Sequence, residues 1–145
     1  MSMNALALDP LSAPAEWHRY LYRSVLLPWE TSLGVRESYP RYSRKKLVAG
    51  VQINKVSTVQ QVESAWAEVG DQLATQSSFT FVAEGQALKG LAGMLRNCTA
   101  HGHYTRVGSA RICFQHKYKG KLKLFGLVKF SELKTLMTVI CEGSS

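Results

Sequence analysis

Residues 82–101 read VAEGQALKGLAGMLRNCTAH, and the fold turns on whether this stretch is one helix. Leu88, Leu91 and Leu95 recur at steps of three and four, and Cys98 extends the row. That spacing predicts a helix with a single buried face. Gly85, Gly90 and Gly93 oppose it, since each lowers helix propensity by about 1 kcal/mol relative to alanine. Glycines also let a second backbone approach closely, which suits tight packing against a partner helix. Gly102 follows as a natural C-cap.

Outward from this stretch, other helical patterns appear. Residues 58–76 place Val59, Val62, Trp66, Val69 and Leu73 on one stripe, and Ser57 with Gln60 has the form of a capping box. A first helix is expected from near Ser12 to before Pro28, with Trp17, Leu21 and Val25 on one face. Residues 28–56 are interrupted by Pro28, Gly34, Pro40 and Gly50, and RYSRKKLVAGVQI fits either a short helix or an extended piece. Beyond Gly102 the period changes. RICFQHK alternates, a YKG turn follows, and KLKLFGLVKF sets Leu122 and Leu124 against lysines, which predicts a hairpin with one basic face. Ser131 opens a final helix with Leu133, Leu136, Met137 and Ile140 inward. The expected architecture is mainly α: an up-and-down helical bundle with a C-terminal β-hairpin and a closing helix, in one domain over residues 1–145.

The net charge of +8 is unevenly spread. Residues 1–85 carry eight basic and eight acidic side chains, whereas residues 86–145 carry ten and two. No acid lies between Glu84 and Glu132. This window holds Lys89, Arg106, Arg111, Lys117, Lys119, Lys121 and Lys123, a set expected to contact the phosphates of RNA. The three cysteines, Cys98, Cys113 and Cys141, are an odd number without close spacing, which argues against a disulfide framework and a CxxC zinc site. They fit reduced thiols in a cytoplasmic protein. No apolar run is long enough for a membrane span, the N-terminus lacks a secretory pattern, and neither a cofactor nor a membrane partner is expected.

The end of the central helix concentrates chemistry in LRNCTAHGHY, residues 95–104. RNA carries its own nucleophile, the 2′-hydroxyl. A histidine can move the proton, and an arginine can hold charge on the phosphate oxygens. Arg96 and His101 are candidates for these roles, with Asn97 orienting either the histidine or the phosphate. His103 is an alternative catalytic histidine. Arg96 and His101 are five residues apart, hence about 140° apart on a helix, so one helix does not join them. A twofold homodimer would reconcile the spacing with the chemistry. His18 and His116 are expected to be surface or satisfied residues.

RNCTAH, and LRNCTAHGHY around it, resembles the RNxxAHG form of the HEPN domain family in bacterial toxin–antitoxin, plasmid and phage-defence systems. The resemblance covers about ten residues. It implies an α-helical bundle that dimerises through its motif helices, and an Arg–His endoribonuclease site in the cleft between them. It also implies Arg96 and His101 as catalytic residues, Asn97 as their polar partner, and a possible cognate antitoxin protein. Some members carry a modifiable tyrosine two residues after the histidine; here that position is His103, and Tyr104 comes one later.

The expected function is therefore a metal-independent endoribonuclease acting as a homodimer, in the manner of a toxin or defence effector. The alternative is a catalytically inactive RNA- or nucleotide-binding module, or a regulatory protein-interaction module. A third reading takes the hairpin KYKGKLKLFG as a generic DNA contact.

Overall fold

A computed structural model of the chain describes residues 8–41, 47–69 and 76–142. Its elements are a 3₁₀ turn at Pro10–Ser12, α1 (Ala15–Leu21), β1 (Gln52–Val56), α2 (Val59–Val69), β2 (Ser78–Val82), α3 (Ala87–His101), β3 (Tyr104–Val107), β4 (Arg111–Tyr118), β5 (Lys121–Lys129) and α4 (Phe130–Glu142). The five strands form one mixed sheet in the order β1-β2-β5-β4-β3. β1 and β2 run parallel, joined through α2, and the other neighbours are antiparallel.

This corrects the expected helical bundle: the fold is α/β. The residues responsible are QINKV and SFTFV. Phe79 and Phe81 alternate into the main core while Val82 turns to the other face, a period of two that only a strand satisfies. The helix expected from residue 82 therefore starts at Ala87, after a break at Gly85 with φ +75°. The small residues of α3 still permit close approach. A Cβ on Gly93 would lie 3.0 Å from Cη2 of Trp29, and one on Gly90 would lie 2.6 Å from Cβ of Ala83.

The sheet separates two apolar layers. On one face α1, α3 and α4 bury Leu21, Leu88, Leu91, Leu95, Leu133, Leu136, Met137 and Ile140 against Phe79, Phe81, Ile112, Phe114, Leu124 and Val128. Trp17 stacks on Phe130 at 4.3 Å between ring centroids. On the other face α2 packs Val62 and Trp66 against Leu122 and Phe125. Gly126 lies opposite Phe79 in the ladder, where any Cβ would overlap the Phe79 ring.

Several local expectations need adjustment. The first helix does not stop before Pro28. It continues to Leu33 through two π-helical stretches, Tyr22–Leu26 and Trp29–Leu33. Proline has no N–H to give an α-turn, and a wider turn accommodates its absence. The capping box on α2 is shifted by one residue: Gln61 N–H donates to Thr58 Oγ1 at 3.2 Å, and Gln61 Oε1 accepts from Thr58 N–H at 2.9 Å. Residues 70–75 of that expected helix, and residues 42–46 of RYSRKKLVAGVQI, lie outside the described residues.

The hairpin forms with a slip, and the closing helix starts at Phe130, so Ser131 lies inside it and does not cap it. His116 pairs with Leu124 and Lys117 with Leu122, leaving Lys123 as an extra residue on β5. A bulge of one residue reverses the faces beyond it. Leu122 and Leu124 therefore fall on opposite faces of the sheet, not on one. Among the described residues no helix is long and apolar enough to cross a membrane.

Candidate functional site

Helix α3 ends at His101 because Gly102 adopts the left-handed conformation, φ +69°. The Gly102 and His103 amides both return to the carbonyl of Cys98, the latter at 2.8 Å. This cap turns the chain sharply into β3. His101 and His103 consequently sit near one another, 5.8 Å between ring centroids.

β3 begins only at Tyr104, so the last residues of β4 have no β3 neighbour beside them. His116 faces the α3 side of the sheet, as its ladder partner Leu124 does. The result is an open cleft of about 530 Å³ bounded by Asn97, His101, His103, His116, Lys117 and Tyr118. His116, expected to be an isolated histidine, belongs to this cluster. Burial lowers its pKa below the ordinary 6.5, and the neighbouring His103, Lys123 and His101 lower it further. Its Nδ1 and that of His103 are buried and, among the described residues, unpartnered. Only the Nε2 edge of each ring remains to serve the cleft.

Arg96 is engaged within the chain. Its Nε donates to Glu30 Oε1 at 2.6 Å, its Nη2 pairs with the same oxygen, and its Nη1 donates to Asn97 Oδ1 at 3.0 Å. It does not line the cleft. Arginine can only donate, so it fixes the Asn97 amide with Oδ1 toward the guanidinium and NH₂ away from it. Arg96 therefore orients the Asn97 amide. Glu30, 66 residues away, was not singled out by the sequence and had no local signal.

The expected phosphate-contacting set divides. Lys117 lines the cleft, and Lys119 and Lys123 lie over the exposed Tyr118 ring at 5.4 and 4.9 Å, with Lys121 paired across the hairpin. Arg106 and Arg111 sit at the opposite end of β4, roughly 20 Å away by strand rise. Lys89 lies near the start of α3, where its Nζ donates to the Arg36 carbonyl at 3.0 Å.

His18 is a satisfied residue. Its Nε2 meets the Ala13 carbonyl at 3.1 Å, so in the neutral ring Nδ1 accepts from the Tyr104 hydroxyl at 2.6 Å. Tyr104 is only 5% exposed, and access of a modifying enzyme to its hydroxyl would require local opening. All three cysteines are free, Cys98 and Cys113 buried and Cys141 exposed. Burial pushes the Cys113 thiol up to about 12. Among the described residues no three His, Cys, Asp or Glu side chains are grouped to hold a metal ion.

Chemically, the cleft combines three imidazoles with an amide that can hold an anion, and Lys117 stands at its border. No family model, no curated protein and no solved structure matches this chain.

Proposed function

We propose that the chain is a metal-independent endoribonuclease whose working groups are the imidazoles of His101, His103 and His116. The observation that carries this reading is their convergence in one open cleft with Asn97 and Lys117. In the proposed step, neutral His116 removes the proton of the 2′-hydroxyl through Nε2. The 2′-oxygen attacks the adjacent phosphorus, the P–O5′ bond breaks, and the leaving 5′-oxygen takes a proton from His101. The Asn97 amide holds a phosphate oxygen while charge builds on it, His103 adds a donor, and Lys117 at the border adds positive charge. The products are a 2′,3′-cyclic phosphate and a 5′-hydroxyl. The proposed cleft is complete within one chain, so a second copy is not needed to assemble its imidazoles.

The test is cleavage of cellular RNA in EDTA by the wild type, His101→Ala and His116→Ala, with folding checked for each. Loss of cleavage in both variants, and cyclic-phosphate ends in the wild-type products, supports the reading. A folded wild type that does not cut overturns it, as does undiminished cutting by both variants. One observation favours a second reading, a non-catalytic RNA-binding module: the permanent cation Arg96 is already engaged by Glu30. That reading expects salt-sensitive RNA binding without cleavage.

A further inference from the structure

A second cavity, of about 350 Å³, lies along the same helix. Trp29, Glu84, Lys89, Gly93, Met94 and Asn97 are among its walls. Asn97 also bounds the imidazole cleft, so the two cavities meet at that residue.

The chemistry of this cavity is specific. One wall is aromatic and flat, because Gly93 has no side chain to separate the helix from the Trp29 indole. Most of the nearby polar groups are already committed. The Gln86 amide binds Tyr39 N–H at 2.7 Å and the Glu37 carbonyl, and Lys89 gives one of its three N–H groups to the Arg36 carbonyl while keeping its charge. Two groups remain without a hydrogen-bond partner in this direction among the described residues: the Glu84 carboxylate and the Asn97 NH₂. Glu84 is exposed and is the last acid before the basic window. A carboxylate accepts and cannot donate, and it repels phosphate. A ligand here is matched by donors at the Glu84 end and an acceptor, such as a phosphate oxygen, at the Asn97 end, with a flat apolar body between.

We propose that this cavity is a base subsite selective for guanine. Guanine carries two adjacent donors, N1–H and the N2 amino group, which match the two oxygens of a carboxylate. Adenine, cytosine and uracil each lack that adjacent pair. Stacking on an aromatic side chain is the common way in which a protein holds an unpaired base, and it holds all four bases alike. Selection consequently falls to Glu84, while Trp29 and Met94 supply contact. A guanine here places its 3′-phosphate toward the imidazole cleft. The substrate class is thus single-stranded RNA with an unpaired guanosine on the 5′ side of the broken bond. This placement rests on the ribonuclease reading; the base selectivity does not.

The experiment is calorimetric binding of guanosine, adenosine, cytidine and uridine 3′-monophosphates to the wild type and to Glu84→Gln, with RNA cleavage mapped in parallel. The exposed position of Glu84 leaves folding intact. The guanosine compound should bind roughly tenfold tighter or more than the others, as two hydrogen bonds to a charged acceptor allow. Glu84→Gln should bring the four close to parity without weakening uridine monophosphate. Equal binding of all four by the wild type overturns the proposal, as does a guanine preference that survives in Glu84→Gln. Guanine selectivity with no RNA cleavage sinks the ribonuclease and leaves the subsite standing. Cleavage with no guanine preference does the reverse.

Discussion

Replacing Arg96 tests whether it acts on phosphate or through Asn97. Arg96 is 30% exposed and Glu30 44% exposed, so their ion pair is screened and contributes about 0.2–1 kcal/mol. The hydrogen bond from Arg96 to Asn97 Oδ1 is charge-assisted and short-range, worth about 1.5 kcal/mol. If Arg96 works only by fixing the Asn97 amide, its removal cannot cost more than removing Asn97. An amide holding a phosphate oxygen contributes about 1.5–3 kcal/mol, or roughly 10- to 150-fold in rate. Asn97→Ala should therefore lower kcat/KM within that range, Arg96→Ala by about tenfold or less, and Glu30→Gln by only a few-fold. The assay is a double-mutant cycle on cleavage of a defined oligoribonucleotide in EDTA. The double variant should be no worse than Asn97→Ala alone, because both changes interrupt the same chain of contacts. A loss of about a thousandfold or more for Arg96→Ala, additive with Asn97→Ala, would mean that the guanidinium leaves Glu30 and meets the phosphate itself. That result would refute the positioning role.

Three further outcomes follow from the structure. His116 has a folded-state pKa below its ordinary value, so as pH falls the unfolded chain binds this proton first; the contribution to stability is full above about pH 6.5 and declines below it. Urea midpoints of the wild type should fall more between pH 7.5 and 5 than those of His116→Gln, and parallel curves would contradict this. Gly102→Ala places a Cβ in a left-handed conformation, 3.3 Å from Cγ of Pro10; about 1–2 kcal/mol should be lost in denaturant unfolding, together with the alignment of His101. Gly126→Ala drives a methyl into the Phe79 ring and should cost at least about 1–3 kcal/mol, seen as a lowered Tm; an unchanged Tm would show that the ring has room to move.

The legible parts of the fold were those set by local pattern. The apolar row of α3, the Gly102 cap, the β4–β5 hairpin and the inward face of α4 all depend on residues within a few turns of one another. β1 and β2 escaped because their defining partners are remote. SFTFV is only five residues long, too short for periodicity to separate a strand from the start of a helix, and its parallel partner QINKV lies beyond an intervening helix. β3, only four residues long, was unread as well, and without these three strands a mixed sheet became a hairpin attached to a bundle. The candidate site shows the same division. His101 and His103 were visible in one decapeptide. His116 looked solitary because only the hairpin register and the early end of β3 bring it to them. Arg96 carried a local expectation, whereas its contact with Glu30 joins residues 66 positions apart and left no local signal. The motif that resembles HEPN proteins is present on α3, but the bundle that accompanies it in that family is not.

The two widened turns before and after Pro28 have a consequence for chain length. Each π-turn accommodates about one residue more than an α-turn, so Glu30 and Trp29 face α3 only because the surplus is counted in. Closing 22–26 to α geometry with no residue removed would rotate everything downstream by roughly 90°, whereas removing one residue at the same time would restore the phase. With no residue removed, Glu30 would swing off Arg96 and Trp29 off Gly93, although no contacting side chain had changed. This segment behaves as a phase setter for α3: a change of turn type without a matching change of length is read directly by Arg96, which holds Asn97.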